Sequence, residues 1–223
     1  MSTTIIDLSQ DIETGMQLFP LHSPTHVVPW MPREQYGWAT NALFLNEHAG
    51  THLDAPFHFM ADGQTIDHVA LERLTGPAVA LDFSTRWPKG TITAADLEEA
   101  MAVVTPHVGR EDAVLLRTGA EDHLGEPAYL DAYPGLSADG AELLVARGVR
   151  LVGTDAASID HPEASDFPAH HRLLPGGTFV VENLTNLGEL LQLTRGLRFT
   201  LHTFPLRIKG GTGSPIRAVA IVS

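Results

Sequence analysis

The chain has 223 residues and no cysteine. Disulfides, thiolate metal sites and cysteine nucleophiles are therefore excluded. Positive charge is scarce too: 14 Lys and Arg against 27 Asp and Glu leave a net charge of −13. Phosphate backbones and anionic membrane surfaces call for a basic counter-surface, so neither a nucleic acid nor a membrane is an expected partner. No apolar run is long enough to span a bilayer. The opening "MSTTIIDLSQD" lacks a basic stretch followed by an apolar one, so the expectation is a cytoplasmic protein without a secretion leader. Repeats, low-complexity tracts and interdomain linkers are missing as well. Hydrophobic residues at 43% and charged residues at 18% suit one globular domain over residues 1–223 with a substantial core.

What is present alternates between two periodicities. The stretches 112–119, 149–155, 178–184, 201–208 and 216–222 are short, rich in Val, Ile and Leu, and bounded by Gly, Pro or Asp, which predicts strands. Between them lie helical patterns. One begins at Thr93, an N-cap residue with acidic residues close behind. A second runs from Ser137 to Gly148, an N-cap and a terminating glycine. A third starts at Asn186, with Glu189 placed for a capping box. The rhythm is not strictly βαβ, so the expected fold is α/β with a mixed sheet. Residues 15–40 contain Pro20, Pro24, Pro29 and Pro32 and read as irregular.

The densest chemistry is "HAGTHLDAPFHF", residues 48–59. His48, His52, Asp54 and His58 share one parity and would face the same side of a strand. A helix is disfavoured by Gly50, Thr51 and Pro56. A straight strand would hold His48 roughly 13 Å from His52, too far for two imidazoles with metal–nitrogen distances of about 2.0–2.1 Å each. The chain should therefore bend at Gly50, stay extended from His52 to Asp54, and turn at Pro56 to bring in His58. The product is two nitrogen donors, one carboxylate and a nearby third histidine, a divalent-metal site with an open position. The bland alternative is four separate hydrogen-bonded or solvated residues. A second cluster, "AHHRLLPGGTFVVENLTNL", offers His170, His171 and Glu182. A glutamate ending a buried strand needs a charged partner or a metal, although an arginine could serve.

The first cluster resembles the His-x-Gly-Thr-His-x-Asp-x-Pro-x-His signature of the cyclase-like metal hydrolases, the family of bacterial kynurenine formamidase and isatin hydrolase. The likeness extends to "IIDLSQDIETGM", "AVLLRTG", "GVRLVGTDAASID", the His170–Glu182 segment and "PLRIKGGTGSPIRAVAI". It implies an α/β fold of the swivelling β/β/α type. It also implies His48, His52 and Asp54 on a first zinc or manganese ion. In two-metal members Asp54 would bridge to a second ion held by His170 and Glu182. His58 is the implied general acid/base. The implied reaction is hydrolysis of a carbon–nitrogen bond in a small aromatic or cyclic amide, by a homodimer or homotetramer whose N-terminal segment contributes to the pockets. Kynurenine formamidases carry a Trp-Pro-Gly-Asp-like stretch, whereas this chain lacks Gly-Asp after Phe19-Pro20. Phe19, Trp30, Trp38, Phe57 and Phe59 are candidate pocket aromatics. Two other classes compete: a non-haem Fe(II) oxygenase built on two histidines and one carboxylate, and a metal-binding protein without catalysis. The second carboxylate–histidine pair and His58 favour hydrolysis.

Overall fold

The computed structural model of the protein describes residues 3–104 and 108–222; Met1 and Ser2, which head the stretch expected to be free of a leader, lie outside them. The strands are β1 (Thr4–Asp7), β2 (His26–Met31), β3 (Thr40–Phe44), β4 (His52–Asp54), β5 (Thr75–Asp82), β6 (Thr91–Ile92), β7 (Ala113–Arg117), β8 (Gly135–Leu136), β9 (Leu151–Thr154), β10 (Phe179–Glu182), β11 (Phe199–His202), β12 (Gly213–Pro215) and β13 (Val219–Val222). The α-helices are α1 (Arg33–Tyr36), α2 (Ala94–Ala102), α3 (Ala128–Asp131), α4 (Ala138–Ala146), α5 (His170–Leu173) and α6 (Leu187–Thr194).

Nine strands form one sheet in the order β1-β13-β11-β5-β7-β9-β10-β4-β12. The centre, β5-β7-β9-β10, is parallel, and both flanks are antiparallel. This is the expected α/β fold with a mixed sheet. The central strands are apolar along their middles, where both faces are covered, and polar at their ends. In β7, Ala113 and Leu115 enter a core shared with Leu187 and Leu190 of α6. Val114 and Leu116 of the same strand enter the opposite core, with Leu97 of α2, Leu144 of α4 and Leu173 of α5. No helix among the described residues is long and apolar enough to cross a membrane.

Local signals decide most boundaries. Thr93 caps α2 and forms a reciprocal capping box with Asp96. The Ser137 hydroxyl accepts from the Gly140 amide at the start of α4, and Gly148 follows its end with φ 71°. The capping box expected at Asn186 does not form. Asn186 is left-handed and donates to the Asp7 carbonyl, while the Glu121 carboxylate accepts from the Leu187 and Gly188 amides. The Glu121 carboxylate, from a distant segment, has taken the place of the Asn186 side chain as acceptor for the first-turn amides. The strand expected over 201–208 is displaced: β11 ends at His202, and beyond it Pro205 makes only an isolated bridge to Ile216. The strand expected over 216–222 begins only at Val219: β13 pairs with β1 and β11, while 213–215, ahead of the expected stretch, forms β12 against β4. Residues 15–40 are less irregular than their prolines suggest. β2 and β3 form a hairpin, Pro29 is accommodated next to a register shift, and α1 follows Pro32.

Candidate metal centre

The site is built around β4. Gly50, with φ 60°, turns the chain so that His48 folds back towards His52. His52 and Asp54 then lie in β4 between β10 and β12, with Glu182 the register partner of His52. Pro56 opens a single 3-10 turn, Pro56–His58, which brings His58 round to stack on His48 with ring centroids 4.1 Å apart. Glu182 ends a parallel strand, and α5 delivers His170 from the far side. His171 is exposed and does not join them. The six residues singled out above, His48, His52, Asp54, His58, His170 and Glu182, thus meet in one place, and all but His58 are buried.

Asp54 is the hub. Its Oδ1 lies 2.8 Å from His48 Nδ1 and 3.4 Å from His52 Nε2, and its Oδ2 lies 3.2 Å from His170 Nε2. Glu182 approaches His52 Nε2 at 3.5 Å and His170 Nε2 at 3.3 Å. Each imidazole has its other nitrogen tied to an acceptor. His48 Nε2 meets the Thr212 hydroxyl at 3.0 Å, and that hydroxyl donates in turn to Glu47. His52 Nδ1 meets the Gly50 carbonyl at 2.8 Å. His170 Nδ1 meets Asp160 at 2.5 Å. Such outer partners fix the tautomer and leave the inner nitrogen as a lone pair.

Three inner lone pairs therefore face two carboxylates, an arrangement that is repulsive unless positive charge lies between them. In the protein without a cation, protons supply that charge. Burial disfavours a charged His52, but Asp54 and Glu182 outweigh it and raise the imidazole to about 10. Burial likewise opposes charge on His170, yet Asp160, Asp54 and Glu182 hold it well above its ordinary value. The histidines in return hold Asp54 well below the usual carboxylate range and Glu182 down to about 2, against the effect of burial. A donor set of imidazoles and carboxylates, already converged and short of positive charge, fits a divalent metal. Ligand atoms within 4.8 Å of one another define two groups, His48–Asp54–His58 and His52–Asp54–Glu182, with Asp54 common to both. His58 thus falls within reach of His48 and Asp54, and His52 lies close to Glu182.

A cavity of about 200 Å³ opens beside the cluster, lined by Phe19, His22, Phe59, Ser158 and Phe167 together with the histidines and Glu182. Of the candidate aromatics, Phe19 and Phe59 are walls. Trp30 and Trp38 are exposed on and next to the hairpin, and Phe57 is not a lining residue. Phe167, His22, Ser158 and the outer partners Asp160, Thr212 and Glu47 were not singled out in the sequence. A carboxylate ten residues before His170, in "DHPEASDFPAH", is the one local signal that pointed to any of them. Gly213 has a steric role, since a Cβ there would come within 2.7 Å of His48 Cε1. A larger and more open groove of about 590 Å³, near Asp82, Arg86 and Leu191, shares no lining residue with the cluster.

Known proteins resemble this chain in sequence and in fold. The profile of the Cyclase family, described as putative cyclase, matches residues 6–161. A kynurenine formamidase of Bacillus thuringiensis is 31% identical over 215 residues, covering 96% of this chain and 95% of the relative. An isatin hydrolase bound to the product analogue thioisatinate superposes with a TM-score of 0.91 at 26% identity, over 99% of this chain and 92% of its own. Isatin hydrolase A of Labrenzia aggregata, bound to benzyl benzoate, gives 0.90 at 26% identity, over 99% and 94%.

Proposed function

The chain belongs to the Cyclase family, and from that premise we propose that it is a metal-dependent hydrolase of the carbon–nitrogen bond in small aryl amides. The observation that carries this reading is the set of inner lone pairs and carboxylates, short of positive charge, beside an aromatic cavity. His48, His52, Asp54, His170 and Glu182 are the proposed ligands of one or two zinc or manganese ions, with Asp54 shared. A bound ion supplies Lewis acidity, which polarises the amide carbonyl and lowers the pKa of water.

The chain's own groups perform the rest. Phe59 stacks on His170 at 4.5 Å and meets Phe167 at 5.7 Å, and Phe167 meets Phe19 at 6.4 Å, a continuous wall that excludes water and takes the face of a ring. Burial pushes His58 down to about 4, so its ring is neutral at pH 7 and a ring nitrogen is free to accept a proton. As water adds to the carbonyl carbon and the carbon–nitrogen bond breaks, His58 takes the water's proton and delivers it to the departing nitrogen. Such a group contributes roughly 10²–10⁴-fold. A cavity of about 150 Å³ accepts one benzene ring, so 200 Å³ suits one ring with a few added atoms. Isatin meets this description, as does the ring-and-formamide part of the formamide of kynurenine. Each is an anilide whose ring also carries a carbonyl next to the nitrogen. A ligand set containing two carboxylates exceeds the single carboxylate of an oxygenase triad.

The N-terminal hairpin is the proposed contact in a homodimer. Val28, Trp30, Leu43 and Phe44 on it, and Tyr36 and Trp38 at its turn, are exposed, an apolar surface of the kind that marks an interaction site. Light scattering should give a dimer for the native protein and a monomer for a Trp30→Ser/Trp38→Ser variant; a native monomer would end this reading.

The function itself is tested on purified protein by elemental analysis and by hydrolysis of isatin and N-formyl anilides, before and after chelation. Stoichiometric metal and chelator-sensitive release of amine or ring-opened acid are expected. Activity in metal-free protein would overturn the reading.

A further inference from the structure

The chain is short of positive charge, and much of what it has is tied up in ion pairs such as Arg86–Asp96, Arg117–Glu121 and Arg172–Glu142. One place departs from this. A cavity of about 370 Å³ lies where the central parallel strands begin, at the end of the sheet opposite to Glu182 and the ligand cluster. Its wall comes from the segments that lead into those strands. Arg73 precedes β5, Arg110 and Glu111 precede β7, Gly148 precedes β9, and Gly177 precedes β10.

The arginines of this wall have no anion to answer them. Arg73 is fixed in place: its Nη2 donates to the Gly177 carbonyl at 2.7 Å, and its guanidinium carbon stands 4.9 Å from the centre of the Phe179 ring. Its Nε is enclosed without a hydrogen-bond partner. Arg150, 2% exposed, adjoins it. The Arg150 Nη1 donates to the Arg73 carbonyl at 3.0 Å and its Nη2 to the Pro77 carbonyl at 3.4 Å, while its Nε is also enclosed and partnerless. Burial pulls this guanidinium below its ordinary value; Asp112 and Glu111 oppose the shift and Arg73 adds to it. Arg110 is exposed and pairs with no other side chain among the described residues. Its stem crosses Gly148, where a Cβ would come within 2.9 Å of Arg110 Cγ. Glu111 is the one carboxylate of the wall, and it pairs with none of the three. It is held left-handed at φ 65°, strain of the kind that collects at functional sites. The neighbouring Asp112 is already taken by Arg198 and the Gly109 amide.

Three guanidinium groups against one free carboxylate leave a positive excess in an otherwise acidic protein, and a buried cation without a counter-charge is costly. A doubly charged oxyanion would neutralise that excess, and planar N–H forks match the oxygens of a phosphate group. We propose that this cavity binds a phosphate dianion, free or as the head of a small phosphomonoester, through Arg73 and Arg110, with Arg150 adding charge from beneath. The net charge of −13 repels a polyanion, so the ligand is a small molecule and not a nucleic acid or a membrane. The inference is independent of the hydrolase reading, because the site shares no residue with the ligand cluster.

The test is calorimetric titration of the metal-loaded protein with inorganic phosphate and with ethyl phosphate. Arg110→Gln should weaken the binding of phosphate about 10- to 100-fold, the worth of a charge-assisted contact. Glu111→Gln removes the opposing charge and should tighten it about 2- to 10-fold. Both side chains are exposed, so both variants should melt like the native protein in the absence of phosphate and carry the same metal. Tighter binding of ethyl phosphate makes a phosphomonoester the ligand, and equal or weaker binding makes it free phosphate; either outcome supports the site. Phosphate held at the metal centre instead would be lost on chelation and would ignore both substitutions, which overturns the proposal. So does a native protein that takes up no phosphate at about 10 mM, or an Arg110→Gln variant that binds it as the native protein does.

Discussion

Asp54 and Asp155 are both buried aspartates, 1% and 0% exposed, at the ends of neighbouring parts of one sheet, yet their surroundings differ in kind. Asp155 accepts from the Thr118 amide and hydroxyl, the Gly119 amide and the Glu121 amide, at 2.7 to 3.3 Å. Burial pushes it up to about 6, and these donors keep it ionised at neutral pH. Its charge is fully answered by the chain, which ties β7's end to β9's. Among the described residues no backbone amide donates to the Asp54 carboxylate. It faces imidazole nitrogens whose hydrogens, in the neutral rings, point elsewhere, and it needs positive charge, a proton or a cation, that is not part of the backbone. A carboxylate surrounded by fixed donors is structural, whereas one surrounded by lone pairs is a place for a cation. Burial and residue type are the same in both cases; the difference lies in which atoms face the oxygen.

The strongest way to break this contrast is to exchange each carboxylate for an amide. Asp54→Asn should lose bound metal and reduce activity by more than the roughly 10–100-fold typical of removing an outer partner, while thermal unfolding changes little. Asp155→Asn should keep its metal and lose stability instead, by about 1–3 kcal/mol for each donor left poorly paired. Elemental analysis and melting curves on both variants decide the matter. An Asp155→Asn protein that folded normally but lacked metal would erase the distinction.

His58→Ala comes next. Metal should remain at the native level while kcat falls roughly 10²–10⁴-fold. Added zinc or manganese should restore nothing. Recovery on adding metal would make His58 a ligand, as its membership of one convergent group allows.

A smaller effect is expected at Asp160, which joins the two behaviours in one residue. It accepts from the Ala169 and His170 amides, as Asp155 does from its neighbours, and it also holds His170 Nδ1. Asp160→Asn should weaken metal affinity about 10–100-fold in a chelator competition. An unchanged affinity would reduce Asp160 to a loop anchor.

The smallest signal is protonic. His52 is raised to about 10 without a cation, so at pH 7 its inner nitrogen holds a proton that a metal must displace. Loading the stripped protein should therefore release protons, and affinity should rise with pH until that proton is already gone. Calorimetry in buffers of different ionisation enthalpy measures the release. Uptake without release would mean that the lone pairs were free from the start.

Much of this was legible in the chain. The shared parity of His48, His52, Asp54 and His58, the bend at Gly50 and the turn at Pro56 are local properties, and local backbone chemistry is carried by neighbouring residues. The same holds for the capping of α2 at Thr93 and of α4 at Ser137, and for the apolar central strands. Tertiary structure decided what distant segments do to one another. It placed Glu121, rather than the Asn186 side chain, on the first-turn amides of α6, and it sent 213–215 and 219–222 to opposite ends of the sheet. It paired residues 26–44 into a hairpin despite their prolines, because the pairing needs a partner strand that no local pattern names. It also chose which nitrogen of His48 faces inward, through Thr212, whereas the Gly50 carbonyl behind His52 and Asp160 behind His170 are near in the chain. A tautomer depends on the acceptor behind the ring, and for His48 that acceptor stands 164 residues away.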